Sequence, residues 1–92
     1  MIASAECECL IPGAQSLKEK RAVLQRVMTR LKQKYNVSVA EVDYQDMWQR
    51  TIMAIVVVSS SKVSAERELQ RALSYIDSFP ELERFATNIE WL

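Results

Sequence analysis

Hydrophobic and polar residues alternate along four segments of the chain, and this alternation predicts four β-strands. A period of two places successive side chains on opposite faces, which is typical of a strand that buries one face. The turn at Pro12 and Gly13 and the polar stretch 45–49 punctuate the pattern. The predicted strands cover residues 3–11, 37–44, 51–59 and 83–92.

Two longer segments repeat their apolar residues at helical spacing and predict two α-helices. The first begins after Ser16, which forms an S-x-x-E capping box with Glu19, and it runs to about Lys34. The second follows the serine run 59–61, whose hydroxyls are suited to cap a helix, with Ser64 as another candidate cap, and it ends before Pro80. The helices therefore divide the strands in the order βαββαβ.

This order predicts a single domain over residues 1–92 with an α+β, ferredoxin-like fold. In such a sandwich the four strands form one antiparallel sheet, and both helices cover the same face. Right-handed crossovers place the first and third strands in the centre of the sheet. The other face of the sheet stays open in a lone chain.

The open face of the predicted sheet is a candidate interface. Segment 51–59 is apolar at both alternating positions, so we expect it to present large aliphatic side chains there. Trp48 lies in the turn before this strand and Arg50 directly follows the turn. Trp and Arg are both enriched at interfaces. We therefore predict a homodimer, or a longer assembly, through the open sheet or an edge. The candidate interface residues are Trp48, Arg50, Met53, Ile55 and Val57.

Positive charge is concentrated in the first predicted helix. The chain is neutral, with twelve Lys and Arg against twelve Asp and Glu, but this helix has seven cations and one anion. Several cations stand in the first turn or at like-charged i,i+4 spacing, where local helix physics disfavours them. The phosphates of an RNA backbone would stabilise such an arrangement. The candidate nucleic-acid-binding residues are Lys18, Lys20, Arg21, Arg26, Arg30, Lys32 and Lys34.

A different interpretation of this helix stays open. A run of charge is usually a solvated helix face, and its cations can pair with carboxylates of the chain or of a dimer mate. Lys20 falls inside the apolar arc of the helix, so we expect it to snorkel or to pair with Glu41 or Asp43. The chain also lacks the glycines of the RNP1 signature, which argues against RNA binding of that type.

Composition excludes several kinds of catalytic and cofactor site. The chain has no histidine, which excludes catalytic triads and metal sites that use histidine. It has a single glycine, which excludes Gly-rich nucleotide-binding loops. Cys7 and Cys9 share a strand face, but two thiols cannot complete a four-ligand zinc site, so we expect both in the core. Glu6 with Glu8, and Glu41 with Asp43, are pairs of carboxylates of the kind that serves acid–base or Mg²⁺ chemistry. We expect them instead to keep the sheet surface polar, or to pair with Arg50 or with a partner chain. We predict no catalytic residue, no metal and no cofactor.

The N-terminal segment and the cysteines predict the compartment. Residues 1–10 have no basic region, and Glu6 and Glu8 interrupt the apolar run, so no secretory signal is predicted. The longest apolar stretch, residues 52–58, is far shorter than the roughly 20 residues that span a bilayer. We expect a cytoplasmic, reduced protein without membrane contact.

Three stretches of the chain together resemble the YlxP-like group of small bacterial proteins of unknown function. They are residues 11–21 (IPGAQSLKEKR), 36–43 (NVSVAEVD) and 45–50 (QDMWQR). The resemblance spans nearly the whole chain and implies a ferredoxin-like fold. Some genes of this group lie beside those of transcription and translation factors, which implies a role near the ribosome or RNA metabolism. The group supplies no catalytic residues to carry over, and Cys7, Cys9 and Gln15 depart from its usual pattern.

The sequence therefore predicts a non-enzymatic binding module that associates with RNA, ribosomal particles or translation factors through the basic first helix. The alternative is a homo-oligomeric scaffold or a small-ligand-binding protein with a cleft between subunits. An enzyme built on Glu, Asp and Lys groups is the third possibility, and no constellation of residues supports it.

Overall fold

The computed structural model describes residues 1–92, which form four strands and two helices. The strands make one antiparallel sheet in the order β2-β3-β1-β4, so the two central strands are the predicted ones. Both helices pack on one face of this sheet. The fold is therefore the predicted α+β, ferredoxin-like one. In chain order the elements are β1 (Ile2–Leu10), α1 (Leu17–Lys34), β2 (Ser38–Asp43), β3 (Arg50–Val58), α2 (Lys62–Asp77) and β4 (Glu83–Trp91).

Side-chain hydroxyls cap both helices, as the sequence predicts. The Ser16 hydroxyl accepts a hydrogen bond from the Glu19 amide at 3.1 Å, and the Glu19 carboxylate accepts one from the Gln15 amide at 2.7 Å. At α2, the Ser61 hydroxyl accepts from the Ser64 amide at 3.1 Å. These bonds satisfy amides that have no partner inside the helix, which fixes where each helix begins. Neither helix is long and apolar enough to cross a membrane.

A single hydrophobic core of 20 buried residues lies between the sheet and the helices. The central strand β1 contributes only small side chains to it, and larger ones from β3 and both helices fill the remaining space. Close packing of this kind excludes water from the whole helix side of β1 and β3. The β1 contributors are Ala3, Ala5, Cys7 and Cys9, all without exposed surface.

The structure corrects the predicted exposure of β3. Met53, Ile55 and Val57 are at most 1% exposed and lie beneath the helices, so the prediction that they form an open interface is wrong. Both alternating sets of this strand are apolar, so hydropathy alone does not say which set faces the helices. The pairing with β1 decides it, because Met53 lies opposite the buried Cys7. The side chains of β3 that face outward are Arg50, Ile52, Ala54, Val56 and Val58.

A β-bulge in each edge strand interrupts the simple alternation. In β4, Ala86 pairs with Glu8 and Arg84 pairs with Cys9, so Phe85 drops out of the ladder and is 55% exposed. In β2 the register shifts in the same way after Glu41. An extra residue moves the side chains beyond it to the opposite face, which a period-two pattern does not reveal.

Candidate nucleic-acid interface

Lys20 is the one α1 cation that the structure places in the core. Its side chain has no exposed surface, and Nζ lies 2.9 Å from a carboxylate oxygen of Glu41. Nζ also donates to the Tyr44 carbonyl at 2.6 Å, and the Thr51 hydroxyl donates to the same Glu41 carboxylate at 2.6 Å. The predicted ion pair with Glu41 is confirmed. The prediction that Lys20 contacts nucleic acid is wrong, because an ammonium without exposed surface, held by two oxygens of the protein, cannot reach a phosphate.

Arg26 is the second α1 cation with a carboxylate partner. Its guanidinium forms an ion pair with Glu81, in the loop between α2 and β4. Both side chains stay about one-third exposed, at 39% and 35%. The pair ties α1 to that loop and leaves Arg26 less free than its neighbours to bind an external anion.

Arg30 and Lys34 face α2 and lie against aromatic rings instead of carboxylates. The Arg30 guanidinium is 5.9 Å from the centre of the Phe79 ring, and Lys34 Nζ is 4.7 Å from that of Tyr75. Tyr75 in turn makes edge-to-face contacts with Tyr35 and Phe79, at centroid distances of 5.7 Å and 5.2 Å. Cation–π contact holds the two cations over the rings while their charge stays uncompensated.

Two arginines of α2 extend this basic surface across the gap between the helices. Arg67 and Arg71 line an open concavity of 470 Å³ together with Tyr35 and Tyr75. Arg71 lies 4.0 Å from Glu68, at the outer limit of an ion pair, and its side chain is 62% exposed. We call this surface the interhelix groove and define it by Arg30, Lys34, Tyr35, Arg67, Arg71 and Tyr75.

The α2 half of the interhelix groove is absent from the sequence prediction. Arg67 and Arg71 alternate with Glu66 and Glu68, so α2 shows no local excess of charge. Their spacing of four residues, with Tyr75 four residues further on, is the signal that places all three on one flank of a helix.

The remaining α1 cations form a second strip on the flank that faces β2. Arg21 and Lys32 line an open concavity of 370 Å³ with Gln25, Thr29 and Glu41. Glu41 adds little negative charge there, because its carboxylate is paired with the buried ammonium beneath it. No carboxylate lies within ion-pair distance of the β2-side strip, which consists of Lys18, Arg21 and Lys32.

The opposite face of the molecule is acidic. Glu6, Glu8 and Glu90 point from β1 and β4 toward the open side of the sheet. Arg50 forms the predicted ion pair with Glu8, and its guanidinium stacks 4.3 Å from the centre of the Tyr44 ring. The hydrogen bond to Glu8 holds the pKa of this guanidinium above its ordinary value. The charges therefore separate between a basic helix side and an acidic sheet side.

Trp48, the remaining candidate interface residue, stands at the tip of the hairpin between β2 and β3. It is 53% exposed, and the neighbouring Met47 is 46% exposed. The base of this hairpin is anchored, because the Gln49 side-chain amide donates to the carbonyls of Pro12 and Ala14. The structure thus leaves a large aromatic side chain on the surface of a fixed turn.

Comparison with known proteins assigns the chain to a family. A family model described as "Protein of unknown function (DUF503)" matches residues 2–89. The chain belongs to this family. It is also similar to the "Uncharacterized protein YlxP" of Bacillus subtilis (strain 168), with 62% identity over 91 residues that cover 99% of each chain. The predicted resemblance is thereby confirmed, and these descriptions assign no activity to the relatives.

The two cysteines of this DUF503 protein are core residues, as predicted. Burial raises the pKa of Cys7 to about 11 and that of Cys9 to about 12, against an ordinary value of 9.0. Both thiols are free and fully covered. At neutral pH they are protonated, so they act as small apolar side chains that let the helices approach β1.

Proposed function

We propose that this DUF503 protein is a non-enzymatic, cytoplasmic RNA-binding module that uses its helix side. The observation that carries the proposal is the free charge of α1. The chain has as many carboxylates as cations, yet its ion pairs leave most of the α1 cations without a partner. The unpaired α1 cations are Lys18, Arg21, Arg30, Lys32 and Lys34.

The shape of the basic surface favours a single strand of RNA. Eighteen helical residues extend over about 27 Å, so the flanking cations follow a backbone for several phosphates. The partly buried rings of Tyr35 and Tyr75 lie between the cations of the two helices, where a base stacks on Tyr35 or replaces the Lys34 ammonium over Tyr75. Stacking needs unpaired bases, whereas a duplex keeps its bases inside the helix.

Two further observations support the biological setting. Free, protonated cysteines are typical of a reducing compartment, which supports the cytoplasm. Some genes of the YlxP-like group, which the chain resembles, lie beside those of transcription and translation factors, and the translation factors favour RNA as the ligand. Ribosomal particles are the RNA-rich partner that this setting supports.

Removal of two groove cations tests the proposal. In Arg30→Gln with Lys34→Gln, we expect the affinity for a labelled single-stranded RNA of about 20 nucleotides to fall at least roughly tenfold at low salt. The slope of log affinity against log salt should become shallower by roughly 0.7 for each cation removed. Fluorescence anisotropy over a salt series measures both quantities. Arg26 is left unchanged because its loss would free the Glu81 carboxylate.

The matched control is Ala40→Glu with Gln45→Glu, which changes the net charge equally at two exposed positions of the β2–β3 hairpin. It should keep at least half of the wild-type affinity. Equal weakening by both double variants would mean that net charge alone governs binding, and it would contradict a site on the helix side. Absence of binding by the wild-type protein at low salt would refute the proposed function outright.

A further inference from the structure

The two edges of the sheet differ in how well they are protected. The β2 edge is short, with six residues and a bulge before its last residue. The β4 edge is nine residues long, and after its bulge it runs regularly from Ala86 to Trp91. A long, regular edge without Lys or Pro is a template for pairing with another strand.

A hydrogen bond just beyond the end of β4 identifies which backbone groups of this strand are free. The Leu92 amide donates to the Ile2 carbonyl at 2.9 Å, so Leu92 points its backbone groups toward β1. In an antiparallel ladder this orientation alternates from residue to residue. The amides and carbonyls of Thr87, Ile89 and Trp91 therefore point away from β1, and no strand lies on that side.

The same three residues turn their side chains to the helix side, where α2 covers them incompletely. They lie opposite the buried Cys7, Ala5 and Ala3 of β1, yet Ile89 is 40% and Trp91 is 38% exposed. The Lys62 ammonium lies over the Trp91 ring, 5.0 Å from the ring centre. Free backbone groups and uncovered apolar side chains thus coincide along one edge.

We propose that β4 pairs antiparallel with β4 of a second copy of this chain, about a two-fold axis at Ile89. In this register Ile89 meets Ile89 of the second copy, and Thr87 meets Trp91. Their outward backbone groups are the ones that the ladder requires, and the uncovered side chains meet on the helix side. On the other side of the sheet, Asn88 lies opposite Glu90, so no like charges face each other.

Neighbouring registers fit less well. Moving the axis to Glu90 places two glutamates directly opposite each other, which destabilises a strand pair. Moving it to Asn88 brings the bulged Phe85 into the ladder opposite Trp91. The register centred on Ile89 therefore uses only the regular part of the strand and makes a continuous eight-stranded sheet. This inference does not depend on the proposed RNA binding.

Sedimentation equilibrium without RNA tests the interface. The wild-type protein should show twice the 10.6 kDa mass of one chain. Ile89→Lys should sediment as a monomer, because it places two ammonium groups at the axis, and position 89 is open enough to accept lysine in a folded chain. The matched control is Val42→Lys on the β2 edge, where the replaced side chain is 46% exposed, and it should remain dimeric.

Hydrogen exchange of the wild-type amides gives a readout that needs no variant. Pairing predicts that the amides of Thr87, Ile89 and Trp91 exchange at least about tenfold more slowly at high than at low protein concentration. A wild-type protein that is monomeric at millimolar concentration would overturn the inference. So would a dimer in which these three amides exchange rapidly, or one that Val42→Lys dissociates and Ile89→Lys does not.

Discussion

Lys20 shows how far the environment of one residue decides its role. Its charge and its position in the sequence make it one more cation of a basic helix. In the structure, however, its ammonium lies in the core between Glu41 and the Tyr44 carbonyl. Removing one partner of a buried pair leaves an uncompensated charge, which costs more than the pair itself contributes. Lys20 is therefore a residue for stability and not for binding.

We expect Lys20→Met to lower the free energy of unfolding by about 3 kcal/mol, because it leaves the Glu41 carboxylate, 15% exposed, without its cation. Urea denaturation followed by circular dichroism measures this loss. Adding Glu41→Gln should recover part of it, since the amide oxygen still accepts from Thr51. RNA affinity of the folded double variant, in which no carboxylate is freed beside Arg21 and Lys32, should stay within about twofold of wild type. Loss of RNA binding with unchanged stability would contradict this assignment.

The helix α1 is the element in which folding and the proposed function oppose each other. Lys18 stands in the first turn, where the helix dipole favours an anion, and Arg26, Arg30 and Lys34 follow one another at like-charged spacing. Selection for stability alone would replace several of these residues. Binding of an external polyanion would explain their presence in a neutral chain.

Lys18→Glu tests this opposition. We expect the free energy of unfolding to rise by roughly 0.5 kcal/mol, because the new carboxylate suits the helix N-terminus and lies three residues before Arg21. Thermal denaturation measures this gain, while anisotropy with the single-stranded RNA should show weaker binding. Lys18→Gln should produce a smaller change both in the free energy of unfolding and in the RNA affinity. A variant that gains stability and binds RNA as well as wild type would remove the β2-side strip from the proposed interface.

The helices and strands are largely predictable from the sequence. Which side of a strand packs against the helices is less predictable. The Ser16 cap follows from a local pattern, and the two central strands follow from right-handed crossovers. For Lys20 the sequence leaves snorkelling, Glu41 and Asp43 open, and the structure selects Glu41. The facing of β3 does not follow from a local pattern, because both of its sides are apolar and only pairing with Cys7 and its neighbours selects one. The sequence also does not predict the bulge at Phe85 or the position of Arg67 and Arg71 in the interhelix groove. A bulge and a groove between helices arise only from tertiary contact.

At the scale of the molecule, the charges separate onto two different faces. The helix side carries free cations and aromatic rings, and the open side of the sheet carries carboxylates beside a row of aliphatic residues on β3. Strand pairing through β4 would leave both faces accessible, because it uses only the edge. The predicted alternative, a small-ligand cleft between subunits, stays a prediction.

Dimerisation through β4 has a consequence for the binding of long RNA. The two-fold axis at Ile89 puts all four helices on one side of the continuous sheet, so the interhelix grooves of both copies face the same way. One strand long enough to reach both grooves then binds them at high effective concentration, whereas a short strand occupies one. The length of the RNA should therefore decide how strongly its binding depends on the dimer.

We expect Ile89→Lys to weaken binding of an RNA of about 40 nucleotides at least roughly tenfold and to leave an RNA of about 12 nucleotides within about twofold. Anisotropy titrations with both RNAs, at a concentration where sedimentation shows the wild-type dimer, measure the difference. Val42→Lys, with the same added charge on the other edge, should bind both RNAs like wild type. Equal weakening for both lengths would show that Ile89 acts within one copy, and no weakening for either would show that the two grooves bind independently.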